Sequence, residues 1–226
     1  VTRFGPSPTG FIHVGNLYGA FISSQLAHQS GGIFYLRIED TDSKREVEGA
    51  KEAILKALAN YGIEYDEGYQ KGGQYGPYVQ SERVEIYQTY VKDLVRKGLA
   101  YPCFMSEEEI NEIREGQELR KEKIGIYGHY AVDRDLSLEE VKKHLENNDP
   151  YVIRLKSQGD PHKEIILHDL IKGDINLPEN DIDFPLLKKD GIPTYHLAHV
   201  IDDHLMHTTH VIRGDEWIST FPYHLE

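Results

Sequence analysis

The chain has 226 residues, of which 39% are hydrophobic and 28% charged, and this length suits one large globular domain or two small ones. Its net charge of −13 and pI near 5.4 argue against a protein whose whole surface binds nucleic acid or anionic membranes. The single cysteine, Cys103, excludes a disulfide framework and a cysteine-rich zinc site. Because neither a signal peptide nor an apolar run of about 18 residues is present, we expect a cytoplasmic protein without membrane attachment.

The first part of the chain alternates short apolar runs with longer amphipathic segments. Apolar residues at helical spacing predict helices over residues 16–28, 50–61 and 84–95. A glycine follows each predicted helix, as is common where helices end: Gly31, Gly62 and Gly98. Between the first two helices, the apolar run 33–38 predicts a buried strand. This alternation of strands and helices favours a parallel α/β sheet.

The middle of the chain begins with two helix-start signals. Ser106 with Glu109, and Ser137 with Glu140, have the spacing of a capping box, which predicts helices from about residue 107 and about residue 138. Residues 114–123 between these helix starts are strongly charged, and we expect this stretch to be mobile or highly solvated.

Strand signals follow the second helix start. Residues 151–155 and 165–167 predict strands that are separated by a turn at 159–161. From residue 194 onward the strand and helix alternation returns, with a further short strand predicted at 211–213. The segment from about 100 to 190 is therefore interpreted as an insertion or a second small domain.

The strongest local motif is the segment Arg3–Asn16, in which a strand leads through a loop rich in Pro and Gly to the start of a helix. Free backbone N–H groups and the positive end of the helix dipole favour an anion at such a junction. Gly15 leaves room for a ring or a phosphate, His13 can donate to a phosphate oxygen, and Asn16 can cap the helix. The residues alone leave a second interpretation open, a surface loop with His13 solvated.

Five of the twelve histidines cluster with two aspartates toward the end of the chain: His196, His199, His204, His207, His210, Asp202 and Asp203. Such a cluster is compatible with a divalent metal site and hence with a metal-dependent hydrolase. We favour a structural or solvent-exposed role, because no HExxH-type arrangement with a carboxylate base and a clear third ligand is present.

Six short segments together are far more informative than any one of them: 6–16, 37–42, 76–78, 80–83, 194–198 and 211–217. The first, from Pro6 to Asn16, resembles the His-Ile-Gly-His element that is the first signature of class I aminoacyl-tRNA synthetases. The others are similar to motifs of the glutamyl branch of that class. The resemblance extends from Val1 to about Tyr223.

The resemblance implies a Rossmann-like parallel nucleotide-binding domain that is interrupted by an insertion. We expect residues 1–100 and 191–226 to form the catalytic domain, and residues 101–190 to form an inserted α+β domain that binds the tRNA acceptor end. The Lys-Met-Ser-Lys-Ser-type loop that clamps ATP and the anticodon-binding region have no match in this sequence. We therefore expect a truncated catalytic portion with weak activity on its own.

The resemblance also implies the reaction. Members of this branch join L-glutamate to ATP, release pyrophosphate, and transfer the glutamyl group to the 3′ end of tRNA(Glu). The matching motif residues assign an ATP site, with His13 as its catalytic residue: Thr9, Gly10, His13, Gly15, Asn16, Glu216 and Trp217. Mg²⁺ is expected to enter with ATP, held by phosphates and water rather than by a dedicated protein cage.

By the same resemblance, the glutamate site consists of six residues: Arg3, Ser7, Glu39, Tyr195, His199 and Arg213. The two arginines are expected to bind the side-chain carboxylate with help from the Tyr195 hydroxyl, and Glu39 with Ser7 to bind the α-ammonium. Arg213 favours glutamate over glutamine, because an uncharged side chain would leave a buried guanidinium without a counter-ion. Without the motifs, surface ion pairs would be the preferred interpretation of both arginines, as for most arginines.

His199 departs from the family pattern, which often has Asn or Val at this position. Three interpretations remain open for it: a place in the glutamate or adenosine site, a link between amino-acid binding and pH, and a tolerated change.

Some bacterial relatives hold zinc through several cysteines in the insertion. Because Cys103 and His129 are too few ligands for such a site, we expect no zinc.

Two other functions share much of this sequence pattern. One is the shorter glutamyl-queuosine synthetase, which modifies tRNA(Asp), and the other is a non-catalytic tRNA-binding module. The presence of Arg3, His13 and Arg213 favours an active enzyme, and we expect a monomer.

Local positive patches for tRNA are expected in the insertion despite the acidic net charge of the chain. They would be formed by Lys121, Lys123, Lys142, Lys143, Lys188 and Lys189.

Overall fold

The computed structural model describes residues 1–10 and 12–226 and divides into two compact units. The first unit combines Val1–Tyr87 with Leu197–Ile218, and the second combines Gln88–His196 with Ser219–Glu226. Both sequence-based boundaries, near residues 100 and 190, fall inside the second unit. The assignment of the insertion to acceptor-end binding stays a prediction.

The first unit contains the expected parallel sheet. Its strands are β1 (Thr2–Phe4), β2 (Phe34–Leu36) and β3 (Glu67–Gly68), in the order β1-β2-β3. Arg3 lies opposite Tyr35 in the parallel register. A parallel sheet joined through helices confirms the predicted α/β class, although β2 is shorter than the predicted run 33–38.

The three helices predicted in the first part of the chain are all present: α1 (Val14–Gln29), α2 (Ala50–Asn60) and α3 (Val84–Arg96). The glycines that follow them adopt left-handed backbone conformations, with φ of 64°, 63° and 72°. Apolar faces of α1 and α2 pack on the sheet to form the core of the first unit: Leu17, Ala20, Ala27, Phe34, Leu36, Ile38, Ile54, Leu58, Ile63 and Val79. This packing holds the C-terminal ends of β1 and β2 in fixed positions.

The second unit contains antiparallel sheet. Strands β4 (Ala100–Cys103), β5 (Val152–Leu155) and β8 (Pro185–Leu187) form one sheet, and β6 (Glu164–Asp169) with β7 (Gly173–Pro178) forms a hairpin. The predictions of strands at 151–155 and 165–167 are confirmed by β5 and β6. The other three strands, β4, β7 and β8, were not predicted from the sequence.

Both capping boxes are present, at the starts of α4 (Glu107–Arg120) and α5 (Leu138–Glu146). The Ser106 N–H donates to Glu109 Oε2 over 2.7 Å, and the Glu109 N–H donates to Ser106 Oγ over 3.1 Å. Of the two expectations for residues 114–123, high solvation is confirmed, since most of these residues are exposed; up to Arg120 they belong to α4.

The last helices are α6 (Tyr195–Leu205) and α7 (Phe221–Leu225). The predicted strand at 211–213 is wrong, since these residues are irregular. The N–H groups of Thr209 and His210 both donate to the Val1 carbonyl, at 2.9 and 3.3 Å, and within the described residues no ladder continues from there. None of the helices in the described part of the chain is long and apolar enough to cross a bilayer.

Candidate functional site

The loop that follows β1 is attached to the region after β2 by backbone hydrogen bonds. The Glu39 N–H donates to the Pro6 carbonyl over 3.0 Å, and the Val47 N–H donates to the Pro8 carbonyl over 2.9 Å. The predicted order of strand, loop and helix is present, although Phe11 lies outside the described residues. Thr9 and Gly10 form a partly exposed bend in this loop, and Ser7 is exposed.

The start of α1 brings three predicted ATP-site residues together. His13 is the N-cap residue, and its N–H donates to Asn16 Oδ1 at 3.5 Å. A Cβ atom added at Gly15 would lie 3.1 Å from His13 Cε1, so the imidazole lies against the glycine backbone. The open space expected at Gly15 is therefore partly filled by His13. His13 and Asn16 are both exposed to solvent, where a ligand can reach them.

A buried ionic cluster lies at the C-terminal ends of β1 and β2. Arg37 is 0% exposed and pairs with three carboxylates, of which Glu39 and Asp203 accept hydrogen bonds and Asp202 lies 3.6 Å from its Nε. Its Nη2 donates to Glu39 Oε1 over 2.8 Å, and its Nη1 donates to Asp203 Oδ1 over 2.9 Å. Because Arg37 is fixed between them, Glu39 and Asp203 occupy defined positions at the end of the sheet.

Arg3 enters the same cluster from β1 and is 6% exposed. Its Nε and Nη2 donate to the two Asp203 carboxylate oxygens, at 3.1 and 3.2 Å. Among the described residues, Arg3 Nη1 and Glu39 Oε2 take part in no hydrogen bond. The cluster thus offers one donor edge and one acceptor oxygen to a further group.

The neighbouring aspartate has different partners. Asp202 is 0% exposed and accepts hydrogen bonds from Gln80 Nε2 (2.9 Å), Arg83 Nε (2.8 Å) and the Tyr87 hydroxyl (2.8 Å). These bonds attach the turn before α3 and the first turn of α3 to α6. Asp202 and Asp203, which the sequence analysis considered as possible metal ligands, have their oxygens occupied by arginine, amide and hydroxyl donors.

Burial and neighbouring charge act in opposite directions on the acids of this cluster. Burial raises the pKa of the Glu39 carboxyl above its ordinary value, and the charges of Arg37 and Arg3 offset part of that effect. Burial opposes ionisation of Asp203 as well, but Arg3 and Arg37 outweigh it and hold the pKa of Asp203 below its ordinary value. Asp203 is therefore a carboxylate at neutral pH, and Glu39 is the acid that protonates more easily.

Gly5 is required by the position of Glu39. A Cβ atom at Gly5 would lie 2.3 Å from Glu39 Oε1 and 2.7 Å from its carboxyl carbon. The Glu39 side chain cannot move aside freely, because Arg37 holds the same oxygen. Glycine therefore allows the loop after β1 to pass close to the carboxylate.

The remaining predicted residues lie on the segment 213–217 and on α6. Arg213 is partly buried, and its Cζ lies 5.5 Å from the centroid of the Trp217 ring. Glu216 is exposed, with its carboxylate against the backbone of Gly214. His199 is buried on α6. Tyr195 is the first residue of α6 and belongs to the second unit.

Four residues of the cluster were not predicted as parts of the ATP or glutamate site from the sequence: Arg37, Arg83, Asp202 and Asp203. Arg37 and Glu39 alternate with Ile38 at the end of a buried strand, and charged residues in such a place signal a paired ionic site. The acidic pair on α6 was visible too, but the adjacent histidines pointed to metal binding. In the part of the chain that the structure describes, no group of three or more His, Cys, Asp or Glu residues is arranged to hold a metal ion.

A separate cleft of about 730 Å³ lies in the second unit. Its lining combines apolar side chains with three lysines: Val91, Val95, Leu145, Leu187, Lys92, Lys188 and Lys189. None of the predicted ATP or glutamate residues lines it. The size of a cavity is therefore a poor guide to the chemistry here, and the charged cluster of the first unit is the better candidate site.

The chain is similar to known tRNA synthetases along its whole length. A family model described as "tRNA synthetases class I (E and Q), catalytic domain" matches residues 1–226. The chain is 58% identical to a glutamate–tRNA ligase of Acetivibrio thermocellus over 229 residues, and 55% identical to one of Clostridium perfringens over 230 residues. In both cases the match covers 100% of this chain and 42% of the relative.

A solved structure agrees with this relationship. The crystal structure of a glutamate tRNA ligase from Elizabethkingia meningosepticum in complex with its amino acid superposes with a TM-score of 0.90 at 42% sequence identity. The match covers 99% of this chain and 45% of that one. The chain therefore spans less than half the length of the relatives that it matches.

Proposed function

Because this chain belongs to the class I tRNA synthetases for glutamate and glutamine, on the match of the catalytic-domain model to residues 1–226, we propose that it activates L-glutamate with ATP and transfers it to tRNA(Glu). The observation that supports glutamate most directly is the buried cluster. Its Arg3 Nη1 edge and its Glu39 Oε2 atom suit a ligand that carries both an anion and an ammonium group.

In the proposed complex, the side-chain carboxylate of glutamate binds Arg3 and Arg213, with the Tyr195 hydroxyl as a further donor. The α-ammonium binds Glu39 and Ser7. The free α-carboxylate is then directed toward the loop after β1, where the motif residues Thr9 and Gly10 lie. His199 belongs to the same proposed site, on the buried face of α6.

The first chemical step requires no general base, because the nucleophile is already an anion. An oxygen of the α-carboxylate attacks the α-phosphorus of ATP, a new P–O bond forms, and the bond to pyrophosphate breaks. Negative charge on the phosphates is stabilised by the His13 imidazole and by the N-terminal N–H groups of α1, next to Gly15 and Asn16. Glu216 and Trp217 are proposed to complete the nucleotide site.

ATP carries Mg²⁺, whose role is to neutralise the phosphate oxygens during the displacement. In the second step a hydroxyl of the terminal adenosine of tRNA attacks the glutamyl carbonyl, and AMP leaves. The lysines of residues 101–190 are the proposed contacts to the acceptor end. The protein is proposed to act as a monomer in the cytoplasm.

The test uses the full-length gene product with ATP, glutamate and separated tRNAs. We expect glutamate-dependent charging of tRNA(Glu), with glutamine as a poor amino-acid substrate. Transfer of glutamate to queuosine-containing tRNA(Asp) alone would identify the modifying enzyme instead. A protein that binds tRNA but forms no glutamyl-adenylate would be the non-catalytic module, and either result would contradict the proposal.

A further inference from the structure

The two adjacent aspartates of α6 divide their hydrogen bonds between different parts of the first unit. Asp202 binds Gln80, Arg83 and Tyr87, none of which belongs to the proposed glutamate site. Asp203 binds Arg3 through both oxygens and also binds Arg37. Asp202 Oδ2 also lies 3.6 Å from Arg37 Nε, so both aspartates face Arg37, but of the two only Asp203 binds Arg3.

The contact with Arg3 determines which edge of its guanidinium faces a ligand. A guanidinium presents its donors along fixed directions in one plane, so pairing the Nε–Nη2 edge with Asp203 leaves Nη1 as the edge without a partner in the described residues. Without Asp203, the long Arg3 side chain would be able to turn its best bidentate edge toward other acceptors.

Through Arg37, Asp203 also constrains Glu39, which is proposed to bind the α-ammonium of glutamate. Asp203 Oδ1 accepts from Arg37 Nη1 at 2.9 Å, while Arg37 Nη2 holds Glu39 Oε1 at 2.8 Å. The Tyr35 hydroxyl lies 3.1 Å from Arg37 Nη1 and donates to Asp203 at 3.5 Å, which limits sideways movement of the pair. Glu39 is thereby held with Oε2 available.

We propose that Asp203 is a positioning residue for the amino-acid site, fixing the Arg3 guanidinium directly and the Glu39 carboxylate through Arg37. The inference rests on the proposed function, since it assigns the purpose of this geometry to the binding of glutamate. Asp203 itself does not contact the substrate. Its effect is on how well the two substrate-binding groups are oriented before glutamate arrives.

The charges of the cluster support a role in orientation rather than in attraction. Three guanidinium groups face three carboxylates: Arg3, Arg37 and Arg83 with Glu39, Asp202 and Asp203. The formal charges of these six groups cancel, so Arg3 acts chiefly as a directed hydrogen-bond donor. Disturbing its direction should therefore weaken glutamate binding and leave the ATP site and the chemical step nearly unchanged.

The test is Asp203→Asn in the full-length gene product, with steady-state kinetics of ATP–pyrophosphate exchange in the presence of tRNA. The amide keeps the shape of the side chain but presents an NH₂ group to a guanidinium. We expect the glutamate KM to rise by about tenfold or more, with the ATP KM and kcat within about twofold of wild type. A matched control is Asp183→Asn, which removes a fully buried carboxylate that binds Arg134 and Tyr101 in the second unit rather than Arg3 or Arg37. It should lower the melting temperature but leave the glutamate KM near the wild-type value.

Equal glutamate KM values for the two variants would overturn the positioning role, because the effect would then be a general consequence of removing a buried, arginine-paired carboxylate. If Asp203→Asn does not fold, Asp203→Glu supplies the test, since it keeps the charge but displaces the carboxylate from Arg3. The same rise in glutamate KM is expected, and an unchanged KM in that variant contradicts the role. A wild-type protein with no glutamate-dependent exchange would instead refute the proposed function itself.

Coupling to Arg3 provides a second readout. In a double-mutant cycle with Arg3→Gln, Asp203→Asn should add little to the rise in glutamate KM, since its effect passes mainly through Arg3. Fully additive increases would show that Asp203 acts by another route and would contradict the proposal.

Discussion

At the scale of single residues, Arg213 carries the prediction on substrate choice. Replacement by Gln removes the charge that the proposed side-chain carboxylate would meet, in a partly buried position near Trp217. We expect the glutamate KM to rise by about 100-fold, equivalent to about 2.8 kcal/mol, with a small change in the ATP KM. Pyrophosphate exchange with glutamate and glutamine measures both effects. The matched control is Arg96→Gln, an exposed arginine paired with Asp93, which should leave both constants unchanged. An Arg213→Gln variant with wild-type glutamate KM would remove Arg213 from the site.

The acidity of Glu39 gives a second prediction at this scale. Glu39 is proposed to bind the α-ammonium as a carboxylate, and burial raises its pKa above the ordinary value. As pH falls, Glu39 therefore takes up a proton before an exposed glutamate, with a pKa of about 4.3, would do so. The glutamate KM should rise on the acid side, beginning at a higher pH than an ordinary carboxyl allows.

The measurement is a pH series of glutamate and ATP KM values, taken above the onset of acid unfolding as monitored by circular dichroism. The glutamate KM should respond to acid and the ATP KM should not. Because Asp203 has a depressed pKa, its own protonation comes later and does not account for the effect. If the two KM values change in parallel, Glu39 is not the group that titrates.

At the scale of elements, α1 allows two glycines to be compared on one helix. A Cβ atom at Gly19 would meet nothing within 4 Å, whereas one at Gly15 would lie 3.1 Å from the His13 ring. Gly19→Ala should stabilise the protein by up to about 1 kcal/mol, because alanine is the better helix former. Gly15→Ala gains the same propensity but displaces His13, so its kcat for adenylate formation should fall. Thermal unfolding and pyrophosphate exchange distinguish the two variants, and equal kcat values would argue against a catalytic role for the His13 position.

The elements also show what the sequence could predict and what it could not. Helices defined by local signals were predicted well, since the capping boxes at Ser106 and Ser137 and the glycines after α1 to α3 act within a few residues. Strands depend on partners elsewhere in the chain. Residues 211–213 have the composition of a strand but are irregular, and only Thr209 and His210 before them bond to the Val1 carbonyl. In contrast, β4 contains Pro102 and is still a strand, because β5 pairs with it.

The same difference between local and long-range contacts decides which parts of the candidate site could be predicted. Contiguous motifs located His13, Gly15 and the loop after β1, because these residues are close in sequence. The contact between Arg3 and Asp203 joins positions 200 residues apart, and no local pattern predicts it. Whether the motif residues bind ATP and glutamate stays a prediction until the kinetic tests above are made.

At the scale of the whole molecule, the net charge of −13 describes the total surface and not a particular face. Nine of the lysines lie between residues 121 and 189, in the segment proposed to meet the acceptor end. A protein with this charge is expected to bind tRNA through few phosphate contacts, so that its non-specific affinity is low and falls further with salt. Composition therefore limits the mode of nucleic-acid binding without excluding it.

The two compact units provide the last prediction, because each contains one natural reporter. Trp217, the only tryptophan of the chain, lies in the first unit, and Cys103, the only cysteine, lies in the second and is 1% exposed. Each unit also has one fully buried aspartate with an arginine and a tyrosine partner. Asp202 binds Arg83 and Tyr87 in the first, and Asp183 binds Arg134 and Tyr101 in the second.

Since each unit has its own apolar core, we expect the 226-residue chain to unfold in two transitions. Replacing a buried, paired carboxylate by an amide costs about 3 kcal/mol or more, because the arginine loses its counter-ion. Asp202→Asn should therefore lower the urea midpoint seen by Trp217 fluorescence and leave that of Cys103 thiol labelling in place. Asp183→Asn should do the reverse, since the buried thiol reacts only when the second unit opens. If each variant moves both midpoints equally, the two units unfold as one cooperative body, and the distinct cores do not act as independent folding units.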